Sequence, residues 1–264
     1  MTIGLSSFAY YWRLSPAVSQ PWSLADAIEH AAGLGVRLFQ ICDYAPLESM
    51  SDPELEALRR LASDHGVSIE LGTKGIGIAH LRRYLYIASL LDASLLRTML
   101  HTVDHKPDVA EATGLLRELL PELVGQGVTL ALETYEQVPT STLVQIVRSI
   151  NHQNVGICSD PANAVAALET PNSVIDAVAP YVVNMHIKDF AFSRRDGWVG
   201  FTYSGARLGE GLLDYGHMVR TISPNSRGIN QIVEHWLPWQ ENEEETLAAE
   251  DQWTQHSLNY IRSN

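Results

Sequence analysis

Short apolar runs rich in β-branched residues alternate along the chain with longer segments whose apolar positions recur at helical spacing. Eight runs read as strands: IGLSSF at 3–8, GVRLFQICDY at 35–44, VSIELGT at 67–73, LLRTMLH at 95–101, VTLALE at 128–133, NVGICSD at 154–160, VVNMHIKDF at 182–190 and INQIVEHW at 229–236. Most are near-continuous apolar stretches, as expected of parallel strands covered on both faces.

Helix signatures fill the gaps. Ser23 opens SLADAIEHAAGLG, a capped pattern ending in glycine. Ser51 opens SDPELEALRRLASDHG, with Pro53 in the first turn and Glu54 three residues after the serine. Asp104 is expected to open a long helical segment that Gly127 closes, and ENEEETLAAEDQW carries its acids at the helix N-terminus, where the dipole favours them. Eight strand-plus-helix units in a chain of this length predict a single-domain (β/α)8 TIM barrel over residues 1–264. The structural alternative, a doubly wound sheet, normally carries GxGxxG after its first strand, and LSSFAYYW has none.

One stretch departs from this grammar. DFAFSRRDGWVGFTYSGARLGEG, from Asp189 to Gly211, is too long for an ordinary βα loop. It holds Phe192, Trp198, Phe201, Tyr203, Arg194, Arg195 and Arg207. It reads equally as a lid or substrate wall and as a loop packed on the surface or at a subunit contact.

Composition narrows the function classes. A formal charge of −13 argues against a nucleic-acid binder, which needs cations to replace phosphate counterions. No run approaches the roughly 20 apolar residues of a membrane span, and the N-terminus lacks the pattern of a secretory leader. The two cysteines, Cys42 and Cys158, sit in apolar strand runs without CxxC spacing and read as reduced core residues. A cytoplasmic protein acting on a small molecule, with a homo-oligomer as an option, is the expectation.

The candidate chemistry lies at the strand ends. Glu133 ends the fifth strand, Asp160 the sixth, His186 lies near the end of the seventh and Glu234 ends the eighth. In a barrel the C-terminal ends of the strands converge on one face. Each residue alone has a simpler reading: Glu133 as a lysine partner, Asp160 as a helix cap before Pro161, His186 as a core histidine, Glu234 as a partner of His235. Three carboxylates brought together without a cation would drive at least one to bind a proton, and a divalent ion removes that conflict. Oxygen-rich ligation with one imidazole and no thiolate suits manganese, magnesium or cobalt.

The segments ALETYE at 131–136, SDPAN at 159–163, HIKD at 186–189, LGEGLLDY at 208–215 and VEHW at 233–236 resemble, in order, the sugar phosphate isomerase/epimerase superfamily with a xylose isomerase-like TIM barrel. The resemblance implies Glu133, Asp160, His186 and Glu234 as ligands of one divalent metal ion (Mn, Mg or Co). Two positions differ from the ketose 3-epimerases of that superfamily. Asn163 stands where they have a histidine, and Phe192 where they tend to have an arginine.

Four protein ligands on an octahedral ion leave two places for vicinal substrate oxygens. Glu133 and Glu234 could then each carry a proton, one on either side of the substrate carbon. This describes an isomerase or epimerase on a small keto-sugar or hydroxy-keto acid. The alternative is a lyase on a keto-sugar acid: a dehydratase, or a decarboxylase resembling 3-oxo-isoapionate decarboxylase. A lyase calls for a cation facing the substrate carboxylate. Lys74, Arg194, Arg195 and Arg207 are candidates for it, and Lys74 also reads as a solvated loop lysine. The substrate-contact set is Lys74, His101, Asn163, Lys188, Arg194 and Arg195. A DNA-repair endonuclease of the same fold would need more histidines than His101 supplies, including one at Asn163.

Overall fold

The computed structural model describes residues 1–264 and is a closed parallel barrel. Its first seven strands are β1 (Ile3–Ser6), β2 (Leu38–Cys42), β3 (Ser68–Lys74), β4 (Leu95–Met99), β5 (Thr129–Glu133), β6 (Val155–Ser159) and β7 (Val182–Ile187). Two further strands, β8 (Asp189–Arg194) and β9 (Phe201–Ala206), form a separate antiparallel hairpin, and β10 (Asn230–Val233) closes the barrel between β7 and β1. All eight expected barrel strands are present, and no helix is long and apolar enough to cross a membrane.

The outer layer contains α1 (Leu24–Gly33), α2 (Asp52–Asp64), α3 (Ile78–Leu91), α4 (Val109–Gln126), α5 (Thr140–Ile150), the short α6 (Pro161–Ala164), α7 (Pro171–Val178), α8 (Tyr215–Ile222), the short α9 (Pro224–Arg227) and α10 (Glu243–Ser263). Ser23 and Asp26 form a reciprocal capping box that satisfies two backbone donors, and at the next helix start the Ser51 N–H and Oγ–H both donate to Glu54 Oε2. The expectation that Asp104 starts the fourth helix is corrected. Asp108 is the N-cap, accepting from the Glu111 backbone, because residues 102–105 turn back on themselves through Thr102 N–H to His105 O. Gly127 ends that helix in the left-handed region, at φ +68°, as glycine does with least cost.

The long stretch after β7 is a hairpin rather than an irregular loop. Phe190 and Phe192 alternate with small residues on β8, and Tyr203 pairs across from Phe192. Gly197, Trp198 and Gly200 take positive φ in the turn. The base of the hairpin packs on the barrel, while Trp198, Val199 and Phe201 at its tip are exposed.

Candidate metal and substrate site

Glu133, Asp160, His186 and Glu234 meet at the C-terminal mouth of the barrel, all buried. His186 Nδ1 lies 3.4 Å from Glu133 Oε1, 3.6 Å from Asp160 Oδ2 and 3.5 Å from Glu234 Oε2. His186 Nδ1, Glu133 Oε2 and Asp160 Oδ2 are buried without an aligned hydrogen-bond partner. The two carboxylate oxygens face the Arg97 and Lys188 cations, whereas His186 Nδ1 is left without a partner, which is costly for a buried polar atom unless something else satisfies it. Adjacent ligands about 2.1 Å from an octahedral ion lie about 3 Å apart. Glu133, Asp160 and His186 each offer a ligand atom within 4.8 Å of the other two, so a short inward movement brings them to the spacing a divalent cation needs, and Glu234 adjoins the group through His186 Nδ1.

The His186 ring is oriented from below. Its Nε2 lies 2.8 Å from Gln40 Oε1. Gln40 Nε2 donates to Glu70 Oε2 at 3.0 Å and Asn184 Oδ1 at 3.2 Å, so the amide oxygen must face the histidine. His186 Nε2 therefore carries a hydrogen, and Nδ1 is the atom turned to the carboxylates. Burial alone lowers the His186 pKa, but the carboxylates around it, Glu234 and Glu133, raise it well above the usual imidazole value. That same field attracts a cation. Burial raises the Glu70 pKa, with donors from Asn230, Gln40 and Asn184 opposing the shift.

Two buried cations stand among the carboxylates. Lys188 Nζ lies 2.7 Å from Asp160 Oδ2, 3.3 Å from Glu234 Oε2 and 3.1 Å from Asn163 Oδ1, and 4.3 Å from the centre of the Trp236 ring. Burial works against its charge, but Asp160, Glu234 and Glu133 outweigh it and raise its pKa. The Asp160 carboxyl is correspondingly lowered: burial pushes it up, and Lys188 and His186 together more than reverse that. Arg97, in the middle of β4, places Nε against Glu133 Oε2 and donates from Nη1 to Thr73 O (3.0 Å) and Asp43 Oδ1 (3.3 Å). Burial disfavours its charge, but Glu133, Asp43, Glu234 and the other groups around it together hold the guanidinium well above its ordinary pKa.

The other residues expected at the site fall in three places. Asn163 is inside it, donating from Nδ2 to Glu133 Oε1 at 2.8 Å. Lys74 is half exposed at the rim, 3.4 Å from Asp43, and His101 faces Pro107 O at 3.3 Å. Arg194 and Arg195 lie on the exposed part of the hairpin, and the Arg194 guanidinium covers the Phe201 and Trp198 rings. The hairpin reaches the site through its base: the Tyr203 ring packs edge-on against Trp236, under Lys188. Asp189 ties the following loop down, accepting backbone N–H groups from Gly209, Gly211 and Leu213.

A cavity of about 220 Å³ between the β1 and β2 ends is lined by Ser7, Phe8, Tyr11, Cys42, Asp43 and Tyr44. A larger groove of about 690 Å³ lies between α5 and α7, in the outer helical layer away from these side chains.

The description "xylose isomerase-like TIM barrel" matches residues 28–264. The chain belongs to the xylose isomerase-like TIM barrel family. Within this family it is 54% identical over 261 residues to a 3-oxo-isoapionate decarboxylase of Pectobacterium atrosepticum, covering 99% of this chain and 95% of that one. A D-psicose 3-epimerase from Clostridium cellulolyticum, solved with D-tagatose, superposes with a TM-score of 0.77 at 15% identity over 100% of this chain and 99% of that one. A xylose isomerase-like TIM barrel protein from Mycobacterium smegmatis, solved with magnesium, superposes at 0.71 with 18% identity over 97% and 96%. At those identities the two structures share the fold of the family. The relationship to the decarboxylase extends to the sequence along the whole barrel.

Proposed function

We propose that this chain is a metal-dependent lyase that decarboxylates a 3-oxo sugar acid. The observation that carries the reading is the placement of Arg97 and Lys188 among the strand-end carboxylates. Glu133, Asp160 and Glu234 against two buried cations leave one net negative charge when His186 is neutral, and a divalent ion turns that into one positive charge. Such a site complements a monoanionic keto acid better than a neutral ketose. The 54% identity to a 3-oxo-isoapionate decarboxylase supports the same choice. The D-psicose 3-epimerase that superposes on this chain is 15% identical, which supports the shared fold and not the isomerase or epimerase reading.

Glu133, Asp160, His186 and Glu234 would hold the ion, and this hard, oxygen-rich set suits magnesium, manganese or cobalt. When bound, the ion supplies Lewis acidity at the 3-oxo oxygen. Arg97 Nη2, which has no protein partner, and Lys188 would hold the substrate anion. When the bond to the carboxyl carbon breaks, carbon dioxide leaves and the electron pair passes into a substrate enolate. Lys188 and Glu234, 3.3 Å apart, would return one proton to the carbon that lost the carboxylate. Glu133 has a positioning part in this scheme. Asn163 engages one of its oxygens and Arg97 faces the other, so it is poorly placed to abstract a carbon-bound proton.

Chelator treatment tests the metal dependence. Carbon dioxide release from a 3-oxo sugar acid should stop when the metal is stripped and return on adding manganese or magnesium. Undiminished release by verified metal-free protein would overturn the reading.

A further inference from the structure

Cys42 ends β2 on the same face as the strand-end carboxylates. It is buried, and its thiol has no place in the scheme above. Cys42, His186 and Glu234 each offer a ligand atom within 4.8 Å of those of the other two. The thiol is held in position from two sides. Its Sγ lies 3.0 Å from Gln40 Oε1, and a Cβ at Gly72 would sit 2.4 Å from Sγ, so only glycine leaves room for it. Cys42 also lines the cavity of about 220 Å³ between the β1 and β2 ends.

We infer that Cys42, His186 and Glu234 form a second, thiophilic cation position overlapping the first, suited to zinc or cadmium. Thiolate, imidazole and carboxylate are the donors a tetrahedral ion of this type accepts, with a fourth position left for water. Modest side-chain movements bring the three atoms to tetrahedral spacing. Binding releases the Cys42 thiol proton to solvent and involves no electron transfer. The position shares His186 and Glu234 with the hard-ligand set, so one ion excludes the other. Soft cations would therefore displace manganese or magnesium rather than add to them.

The inference rests on the reading of the strand ends as a metal centre, and the test separates the two. The full chain is titrated with cadmium and, separately, with manganese. Cadmium should produce an ultraviolet thiolate-to-metal charge-transfer band that manganese does not. Cys42→Ser should abolish the band and weaken cadmium binding at least about tenfold, as expected for loss of one of three ligands, with manganese affinity unchanged. Cys158→Ser should keep the band, and since the chain has only these two cysteines this variant alone assigns it to Cys42. Absence of the band in cadmium-saturated wild-type protein, or its loss in Cys158→Ser, overturns the thiophilic position. Failure of manganese to bind overturns the underlying metal-centre reading instead.

Discussion

Asn163 Nδ2 donates to Glu133 Oε1 at 2.8 Å, while its Oδ1 accepts from Lys188 Nζ at 3.1 Å. One amide thus links the carboxylate at the end of β5 to the ammonium after β7. A neutral histidine at this position would offer a donor and an acceptor at different spacing, so the two cannot be exchanged without moving Lys188. Asn163→Ala should lower kcat for decarboxylation by about 10- to 100-fold, the worth of a hydrogen bond to a charged group. Steady-state kinetics with circular dichroism on the same preparation would check it, and unchanged kcat would remove Asn163 from the site.

Lys188 competes with any cation for Asp160 and Glu234. Lys188→Met should therefore bind manganese more tightly than the parent while losing at least about 100-fold in turnover, the usual cost of removing a proton-transfer group. Calorimetric titration and kinetics report the two effects separately. Weaker manganese binding would contradict the competition.

Gln40 acts through the His186 ring. Gln40→Leu removes the acceptor that orients Nε2 and leaves Nδ1 free to turn away. Manganese affinity should fall about 10- to 100-fold, as for other partners that orient metal-binding histidines. Equilibrium dialysis is a direct check.

Stability should carry a pH signature from Glu250. This buried carboxylate on α10 accepts the backbone N–H groups of Trp12 (2.7 Å) and Arg13 (3.2 Å), holding the segment that follows β1. Burial raises its pKa from 4.5 to about 7, with those donors and the Arg13 cation opposing the shift. The folded chain therefore binds this proton more tightly than the unfolded one. The resulting stability is fully present below about pH 4.5 and is lost as pH rises through about 7. At about 1.4 kcal/mol per pKa unit, the loss is roughly 3 kcal/mol. Urea unfolding at about pH 5 and about pH 8 should show this decline in the wild type and its absence in Glu250→Gln.

The barrel and the strand-end tetrad were legible because both rest on simple rules. Apolar runs of strand length mark the staves, and a ligating residue at each of four consecutive strand ends must converge once the barrel closes. The interior polar residues were harder to find. Arg97 in LLRTMLH, Gln40 in LFQIC, Glu70 in SIELG and Asn184 in VVNMH each interrupt an otherwise apolar run, and that interruption is the available signal. Their partners lie up to 160 residues away, as Glu70 and Asn230 do, so spacing along the chain could not pair them. Sequence reasoning sought the substrate cation among loop residues such as Lys74, Arg194 and Arg195. Arg97, whose guanidinium faces Glu133, rises from inside a strand and lay outside that set.

The most direct test incubates the enzyme, loaded with manganese, in deuterated water with a 3-oxo sugar acid and, in parallel, with a panel of ketoses. Carbon dioxide release and deuterium incorporation are followed together. The decarboxylase reading predicts carbon dioxide from the keto acid, with one deuterium at the carbon that lost it, and no exchange into the ketoses. Epimerisation or deuterium exchange of a ketose, with no carbon dioxide from the keto acid, would contradict it.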